Sequence, residues 1–355
     1  MKAKKSKSRS YAIRFAIIGA VVKGIQHMRQ HRREAPPGTP MDHGALLKEI
    51  GVGALAGGGI GYIGGSIRDY FNNREKSLDT DSILIKKADQ LQLKLSDPAY
   101  LFLLGKAHHL IKWAGEEYNG HMTSHPVLYG STQNGTAIRG QFDIDISLLF
   151  SGDSFYSIGS MFDDLYNNVE KQQQRLGIVR MRKQDKSVGV AFNYIGKLLW
   201  VDLVPVRVTD PFVSQTKGYL TLNDNGLFSQ PSRKLTDIAA INSLRFSDTQ
   251  KRLFLLLKNW RKQNKLSISS CLLQHMLLDA YQSNAGTMPH RFTDKLQLVV
   301  KHILDHIGSV KYYGVENTNN LLNDLTYLDK VAIRTACNRV LNDFAYQRNT
   351  IVKHF

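Results

Sequence analysis

The chain has 355 residues, a formal net charge of +17 and only two cysteines. A chain of this length can bury one large two-lobed core or two modest domains, whereas Cys271 and Cys337 are too few for a disulfide framework. No group of histidines and cysteines has the spacing of a zinc finger, so we expect no structural zinc.

The N-terminal arm carries most of the excess charge. Residues 1–33 contain ten Lys and Arg and no acidic residue, and such a charge run is usually solvated or faces a membrane. The remaining basic residues are spread along the chain, and no basic patch with interleaved aromatic side chains is obvious among them. Binding of an activating RNA is therefore the less favoured explanation of the charge.

Two apolar segments lie within the first 76 residues. Residues 11–22 follow the basic leader, and residues 50–67 contain no charged side chain and are just long enough to cross a bilayer. Glycines in the second segment recur at a four-residue spacing, which would line one helix face and favour helix association in lipid: Gly53, Gly57, Gly61 and Gly65. A flexible Gly-rich linker is the alternative, but it would carry Ser and charge rather than Ile, Leu and Val.

We therefore expect membrane association through residues 11–22 and 50–67, as a single pass or as a two-helix hairpin. The basic leader favours a cytoplasmic N-terminus. Two crossings would then keep the rest of the chain in the cytoplasm, anchored to the inner face of the membrane, whereas a single crossing would place it on the other side.

From residue 77 onward the pattern is globular. Helical periodicity predicts helices over 82–95 and 100–119, which we expect to pack behind a sheet. Apolar runs predict strands near 126–130, 142–150, 188–194 and 198–206, with a helix over 154–176 and a short strand at 179–181. Later helices are predicted at 237–243, 247–264, 269–283, 292–306 and 329–345. We thus predict an α/β (α+β) fold with a mixed-sheet core over 77–236, a helical lobe over 237–355 and a cleft between them.

One strand of the predicted sheet carries a pair of carboxylates. Asp143 and Asp145 point to the same face because side chains alternate along a strand. Two like charges on a buried strand are costly without a cation between them, and oxygen ligands favour Mg²⁺ or Mn²⁺. Upstream, Gly130-Ser131 offers backbone N–H groups and a hydroxyl to a phosphate. Together these residues indicate a metal and phosphate site.

A third carboxylate strengthens this interpretation. A lone Asp-x-Asp pair is more often a solvated strand end, but Asp202 lies in a second apolar strand, Leu198–Val206, which follows a predicted hairpin. Three carboxylates on adjacent strands can hold two metal ions that clamp the attacking and leaving oxygens of an in-line displacement.

These residues resemble those of the polymerase-β-like nucleotidyltransferases. The order Gly-Ser, Gly-Thr, Asp-x-Asp and then a distant Asp-Leu-Val-Pro is most similar to the oligoadenylate synthetase, cyclic GMP-AMP synthase and bacterial CD-NTase group, in which the third carboxylate closely precedes a proline, as Asp202 precedes Pro205. The resemblance covers roughly residues 80 to 350 and implies a polymerase-β-like core beside a C-terminal helical lobe, with the active site in the cleft.

The resemblance extends into the helical lobe. Leu253–Trp260 is similar to the helix in which a lysine, here Lys258, contacts the nucleoside triphosphate. The next helix start places Ser270 at the position of an assisting serine, with Ser269 as the close alternative. Two positions depart from the family pattern, since Asn134 stands where the synthetases often have lysine and Gln274 where many members have glutamate.

The resemblance also implies a reaction. Asp143, Asp145 and Asp202 would hold two Mg²⁺ or Mn²⁺ ions, while Gly130, Ser131, Lys258 and Ser270 would bind an NTP such as ATP or GTP. The product would be a cyclic di- or trinucleotide or a short oligonucleotide second messenger, read by a downstream effector in antiphage signalling.

Two alternatives remain open at this stage. One is a template-independent nucleotidyltransferase that acts on RNA or on a protein, which would require a basic groove beside the cleft. The other is a membrane effector or scaffold with a regulatory nucleotide-binding domain. The complete set of three carboxylates argues against the second alternative, because a site that only binds nucleotide does not need all of them.

Overall fold

The computed structural model describes residues 80–209, 214–222, 232–309, 311–313 and 320–355. They belong to one compact unit that begins at Thr80. The predicted N-terminal domain over 1–76, with the apolar segments 11–22 and 50–67, lies outside the described residues. Among the residues that are described, no helix combines the length and the apolar character needed to cross a membrane.

The described part alternates helices and strands at first and is helical towards the C-terminus. In chain order the elements are α1 (80–91), α2 (Pro98–Glu117), β1 (Val127–Tyr129), β2 (Asp143–Phe150), α3 (Ile158–Lys171), α4 (Gln173–Leu176), β3 (Arg180–Lys183), β4 (Val188–Tyr194), β5 (Lys197–Val208), β6 (Lys217–Leu222), β7 (Ser232–Asp237), α5 (Ile238–Ser243), α6 (Asp248–Gln263), α7 (Ser270–Ser283), α8 (Phe292–His306) and α9 (Tyr327–Tyr346), with 3₁₀ turns at Leu321–Asp324 and Arg348–His354.

The described strands form a mixed sheet in the order β1-β2-β5-β4-β3, with β6 paired to the end of β5 and β7 paired to β6. β2 and β5 run parallel, whereas the other pairs are antiparallel. The long crossover between β2 and β5 includes α3, as a parallel pair requires. The strand pattern confirms the predicted mixed sheet.

Each central strand has one apolar face against helices. Ile144 and Ile146 of β2 pack with Leu103 and Leu110 of α2 in one buried cluster, which also contains Phe162 of α3. The period of two along the strand therefore turns Asp143 and Asp145 to the opposite face. Helix α2 lies behind the sheet as predicted.

A second buried cluster holds the helical lobe together. Leu256 and Trp260 of α6 pack with Met276 of α7 and Val300 of α8, and Leu84 of α1 joins the same cluster. The expectation that the first helix would pack behind the sheet is therefore wrong. Its apolar stripe packs against the C-terminal helices instead. The prediction that this segment is helical is correct.

Side-chain caps fix where the helices begin. Ser247 accepts a hydrogen bond from the Gln250 backbone N–H and forms a capping box, which starts α6 at Asp248. Ser269 caps α7 by accepting from the Leu272 N–H at 3.1 Å. These two helices carry the residues that face the sheet across the cleft, so their capped starts also set the position of those residues.

Candidate active site

The register of the strands aligns a row of side chains across the sheet. Asp145 of β2 lies opposite Asp202 of the parallel strand β5 and opposite Tyr129 of β1. Asp202 in turn lies opposite Gly189 of β4, which lies opposite Arg182 of β3. Residues in register on neighbouring strands share a face. The three carboxylates therefore meet on one face, with Asp143 two residues from Asp145.

The turn that follows β1 requires a glycine at position 130. Gly130 has a φ of +81°, and a Cβ at this position would overlap the Asp145 carboxylate oxygen Oδ2. The backbone N–H of Asn134 bonds to the Gly130 carbonyl at 3.1 Å, and the N–H of Thr136 bonds to the Ser131 carbonyl at 2.9 Å. This tight turn brings Gly130 and Ser131 directly beside the carboxylates.

Burial and mutual repulsion disfavour the charged forms of two of these carboxylates. Burial, followed by the charges of Asp143 and Asp202, raises the pKa of Asp145 well above its ordinary value, and Lys258 only partly opposes this shift. Burial and Asp143 likewise raise the pKa of Asp202, which is 7% exposed. A cation among the three carboxylates would remove this cost, and the all-oxygen donor set suits Mg²⁺ or Mn²⁺. The residues present therefore fit the predicted metal ions.

Asp202 is held in place by two donors from the β3–β4 hairpin. Its Oδ1 accepts from Gln184 Nε2 at 2.7 Å and from the Arg182 guanidinium at 3.5 Å. Arg182 also lies over the Trp200 ring, 3.9 Å from its centroid. A Cβ at Gly189 would contact both Arg182 and Gln184 at less than 3 Å, so the glycine lets both donors reach across β4.

Basic residues of the helical lobe face the carboxylates. The Lys258 ammonium donates to the Thr136 carbonyl at 2.9 Å and is close enough to interact with Asp143 and Asp145. Burial, together with Arg261, lowers the pKa of Lys258 to about 8. Lys258 is therefore mostly a cation at neutral pH and loses its proton as the pH rises through about 8.

Ser270 is the first residue of α7 and is oriented by Arg261. The guanidinium of Arg261 donates to Ser270 Oγ at 3.0 Å and to the Ile268 carbonyl at 3.2 Å. The hydroxyl of Ser269 is engaged in the helix cap. Ser270 therefore fits the assisting position better than Ser269, and it stands where the positive end of the α7 dipole meets the cavity.

A cavity of about 450 Å³ separates the sheet from α6 and α7, which is within the range of small-ligand sites. The predicted residues that line it are Gly130, Ser131, Asp143, Asp145, Lys258 and Ser270, whereas Asp202 is not among the lining residues and lies opposite Asp145 on the neighbouring strand β5. Asn134 and Gln274 also line it, and the buried Nε2 of Gln274 has no hydrogen-bond partner among the described residues. Six of the seven predicted site residues thus line one cavity, and Asp202 lies on the strand beside it.

Arg261, Arg182 and Gln184 belong to the site but were not predicted. Arg261 follows Lys258 by three residues, so both share one helix face, and this spacing was a usable signal. No comparable signal exists for Arg182 and Gln184, because they reach Asp202 only through the pairing of β3, β4 and β5.

A basic groove adjoins the cavity. It has a volume of about 420 Å³, and its lining includes Lys258, Arg261, Lys262 and Lys265 together with Ser269. The sequence analysis did not identify this groove, although its four cations all fall within residues 258–265.

Comparisons of the sequence with known proteins identify a partial relative. No family model matches the chain. It is 29% identical over 121 residues to the cyclic AMP-AMP-AMP synthase of Escherichia coli strain MS 115-1, an alignment that covers 32% of this chain and 36% of that protein. The aligned region thus spans about a third of the curated relative.

Solved structures extend the likeness to most of the described part. The E. coli MS115-1 CdnC:HORMA-deltaN complex contains a chain that matches with a TM-score of 0.57 and 18% identity, covering 78% of this chain and 97% of that one. The Bradyrhizobium diazoefficiens CD-NTase CdnG in complex with GTP matches with a TM-score of 0.60 and 12% identity, covering 78% and 94%. The polymerase-β-like fold, in the form found in CD-NTases, is therefore confirmed.

Proposed function

We propose that this chain, which has the fold of the CD-NTases, is a Mg²⁺-dependent nucleotidyltransferase that joins NTPs into a cyclic di- or trinucleotide or a short oligonucleotide. The observation that supports this most directly is the register of β2 and β5, which aligns Asp145 with Asp202. Lys258 of the helical lobe is close enough to interact with Asp143 and Asp145. A protein that only binds nucleotide would not need to gather three mutually repelling carboxylates at this cost.

The chain's own residues divide into two groups. Asp143 and Asp145, with Asp202 beside them, would hold the metal ions, which supply positive charge to the triphosphate and favour ionisation of an attacking hydroxyl. Lys258 binds the triphosphate from the other wall, while the turn at Gly130 and Ser131 and the start of α7 at Ser270 offer hydroxyls and N–H groups to its oxygens.

The reaction is an in-line displacement at phosphorus. A ribose hydroxyl oxygen of the acceptor nucleotide forms a bond to the α-phosphorus of the donor NTP, and the bond from that phosphorus to the bridging oxygen of the β-phosphate breaks. Pyrophosphate leaves with the electron pair. The Asp202 carboxylate, beside the attacking hydroxyl, would accept its proton, although ionisation of the hydroxyl by the metal ions makes a separate base unnecessary. Repetition within one pocket yields a cyclic product, whereas early release yields a linear one.

The basic groove supports one of the alternative functions, nucleotidyl transfer to RNA. A template-independent RNA nucleotidyltransferase needs cations beside its cleft that can follow a nucleic-acid backbone, and Lys262 and Lys265 extend the charge of Arg261 away from the carboxylates. We favour the second-messenger synthase, because a groove of this size also suits the triphosphate of a single acceptor nucleotide.

One incubation distinguishes these functions. The full chain is mixed with each α-³²P-labelled NTP and Mg²⁺, with and without a short single-stranded RNA, and the products are treated with phosphatase and resolved. A synthase gives small phosphatase-resistant products without RNA, whereas the alternative extends the RNA. The D143A/D145A double variant should form neither product.

Absence of any product from the wild-type chain, or synthesis that persists in the double variant, would contradict the proposed function. In the cell, we propose that the product is a signal read by a separate effector in antiphage defence. Deletion of the proposed effector should then leave synthesis unchanged but abolish protection.

A further inference from the structure

A second cluster of metal-binding side chains lies in the helical lobe. Asp279 of α7 and His302 and His306 of α8 place one ligand atom each within 4.8 Å of one another. The two imidazoles are one helical turn apart and stack with ring centroids 3.9 Å apart. His-x₃-His on one helix face is a spacing found in zinc sites. None of these residues lines the active-site cavity described above.

Hydrogen bonds around His306 fix the orientation of its ring. Its Nδ1 lies 2.8 Å from the carbonyl oxygen of His302. A carbonyl can only accept, so Nδ1 carries the proton and Nε2 keeps its lone pair for another partner. This is the arrangement of metal-bound histidines, in which the second ring nitrogen donates to a backbone carbonyl.

The Tyr312 hydroxyl positions Asp279 through a hydrogen bond that can persist when the carboxylate binds a metal. Its Oδ2 accepts from the Tyr312 hydroxyl at 2.8 Å and lies 3.1 Å from His302 Nε2. A carboxylate oxygen has two lone pairs, so Oδ2 can bind a metal while Tyr312 continues to donate. Asp279 Oδ1 accepts from Ser283 at 3.3 Å. The tyrosine thus provides the support that a ligating carboxylate normally receives.

The distances are compatible with a tetrahedral ion. With bonds of about 2.0–2.1 Å from zinc to nitrogen and oxygen, neighbouring ligand atoms in a tetrahedron are about 3.3 Å apart. The 3.1 Å between His302 Nε2 and Asp279 Oδ2 is close to this edge. The side chain of Asp279 is 41% exposed whereas that of His302 is 8% exposed, so one side of the cluster opens to solvent. Three protein ligands leave the fourth position to water.

We propose that Asp279, His302 and His306 form a zinc site that joins α7, α8 and the segment containing Tyr312. The expectation of no structural zinc, made from the sequence, is revised here: the i, i+4 histidine pair was visible, but its carboxylate partner comes from another helix 23 residues earlier. This site is separate from the proposed Mg²⁺ site, and neither proposal depends on the other.

The test measures zinc bound by the full-length chain. To exclude zinc at the active-site carboxylates, all proteins carry D143A/D145A and are assayed in excess Mg²⁺. They are stripped with EDTA, titrated with ZnCl₂ and freed of unbound metal by gel filtration before elemental analysis. We expect one zinc per chain in this background and an affinity lower by about a hundredfold or more in H306Q. Co²⁺ should show the visible absorption bands of a tetrahedral site, and these bands should vanish in H306Q.

The matched control removes an imidazole elsewhere. His109 lies exposed on α2, so H109A should bind zinc like the background protein. His306 is only partly buried, and glutamine retains a polar side chain, so the metal-free H306Q protein should unfold at the same temperature as H109A. No retained zinc in the background protein, or equal zinc affinity in H306Q and H109A, would overturn the site.

Discussion

The carboxyl group of Asp145 combines burial, two neighbouring acids and the close approach of the Gly130 turn. A side chain placed in this way reduces the stability of the folded chain until a cation binds, which is common in functional sites. At the scale of the residue, the carboxylate of Asp145 therefore lowers the stability of the metal-free fold, which supports the proposed metal site.

Replacement of Asp145 by asparagine should make the metal-free protein more stable. The raised pKa means that the folded state binds a proton more tightly than the unfolded chain, in which the carboxyl has its ordinary pKa of 3.8. Stability then falls as the pH rises from that value through the raised pKa. Asparagine mimics the neutral form and should increase the free energy of unfolding at neutral pH by about 1 kcal/mol, while synthesis is lost.

Chemical denaturation in EDTA measures this difference. N134A serves as the control, because Asn134 lines the same cavity without charge. A D145N protein that is less stable than the wild type would show that the carboxylate is not under electrostatic strain.

Lys258 should impose an alkaline limit on NTP use. Its pKa is lowered to about 8, by burial first and by Arg261 second. Only the protonated amine attracts the triphosphate, so kcat/KM should fall above about pH 8, by about tenfold per pH unit. Since arginine remains charged throughout this range, the K258R variant should lose this inflection. A K258R profile that still bends near the same pH would assign it to another group.

The sequence revealed the acids of the site but only part of what surrounds them. Asp143, Asp145 and Asp202 were recognisable because each lies in an apolar run that only a buried strand explains. The roles of Arg182 and Gln184 depend on long-range strand pairing that local periodicity does not encode. Asp279 was missed as the partner of His302 because the packing of α7 against α8, which local periodicity does not encode either, brings them together.

At the scale of the element, the pairing of β2 with β5 brings the acids together. A shift of one residue in this register would turn Asp202 to the apolar face, because side chains alternate along a strand. Val201 and Leu203, the neighbours of Asp202 on β5, are buried in the cluster that includes α2, and their packing prevents such a shift because it would expose both side chains. The apolar face of the sheet thus fixes the geometry of the polar one.

A side chain at Gly189 should separate Asp202 from its donors. In G189A the new Cβ would contact Arg182 Cγ and Gln184 Nε2 at 2.7 and 2.8 Å, so both side chains must move. We expect kcat to fall by about tenfold or more with a stability loss of about 1 kcal/mol, because no unusual backbone conformation is involved. Steady-state kinetics and thermal unfolding measure the two effects, with G105A in α2 as the control, where a Cβ meets nothing within 4 Å. Unchanged kcat in G189A would show that these donors do not position Asp202.

Element boundaries were predictable where periodicity is strong. β4 and α8 were predicted with the bounds that the structure gives them, and β5 was only slightly longer than expected. β6 and β7 were missed. Their sequences, Lys217–Leu222 and Ser232–Asp237, mix polar and apolar residues without a long apolar run, and they are strands because they pair with the end of β5 and with each other.

At the scale of the whole molecule, the excess positive charge and the proposed catalytic residues lie in different parts of the chain. The proposed catalytic residues all lie beyond residue 129, whereas more than half of the net charge of +17 lies in residues 1–33. The domain limits at 76 and 236 and the membrane association through 11–22 and 50–67 remain predictions.

Removal of residues 1–76 should release the protein from membranes without abolishing synthesis. A basic leader followed by apolar segments is attracted to anionic lipid and inserts there. Flotation with vesicles that contain phosphatidylglycerol should carry the full chain to the top of the gradient, including at high salt, and leave the shortened chain at the bottom. A full chain that also stays at the bottom of the gradient would refute the predicted anchor.

The central claim is that Asp143, Asp145 and Asp202 hold the metal ions of a nucleotidyl transfer whose triphosphate lies towards Lys258. A crystal structure with Mn²⁺ and a non-hydrolysable ATP analogue tests it most directly, because anomalous scattering locates the metal. We predict anomalous peaks within about 2.2 Å of the carboxylate oxygens, with the triphosphate between Gly130-Ser131 and Lys258. Nucleotide bound elsewhere, or Mn²⁺ absent from these carboxylates while nucleotide fills the cavity, would contradict the account.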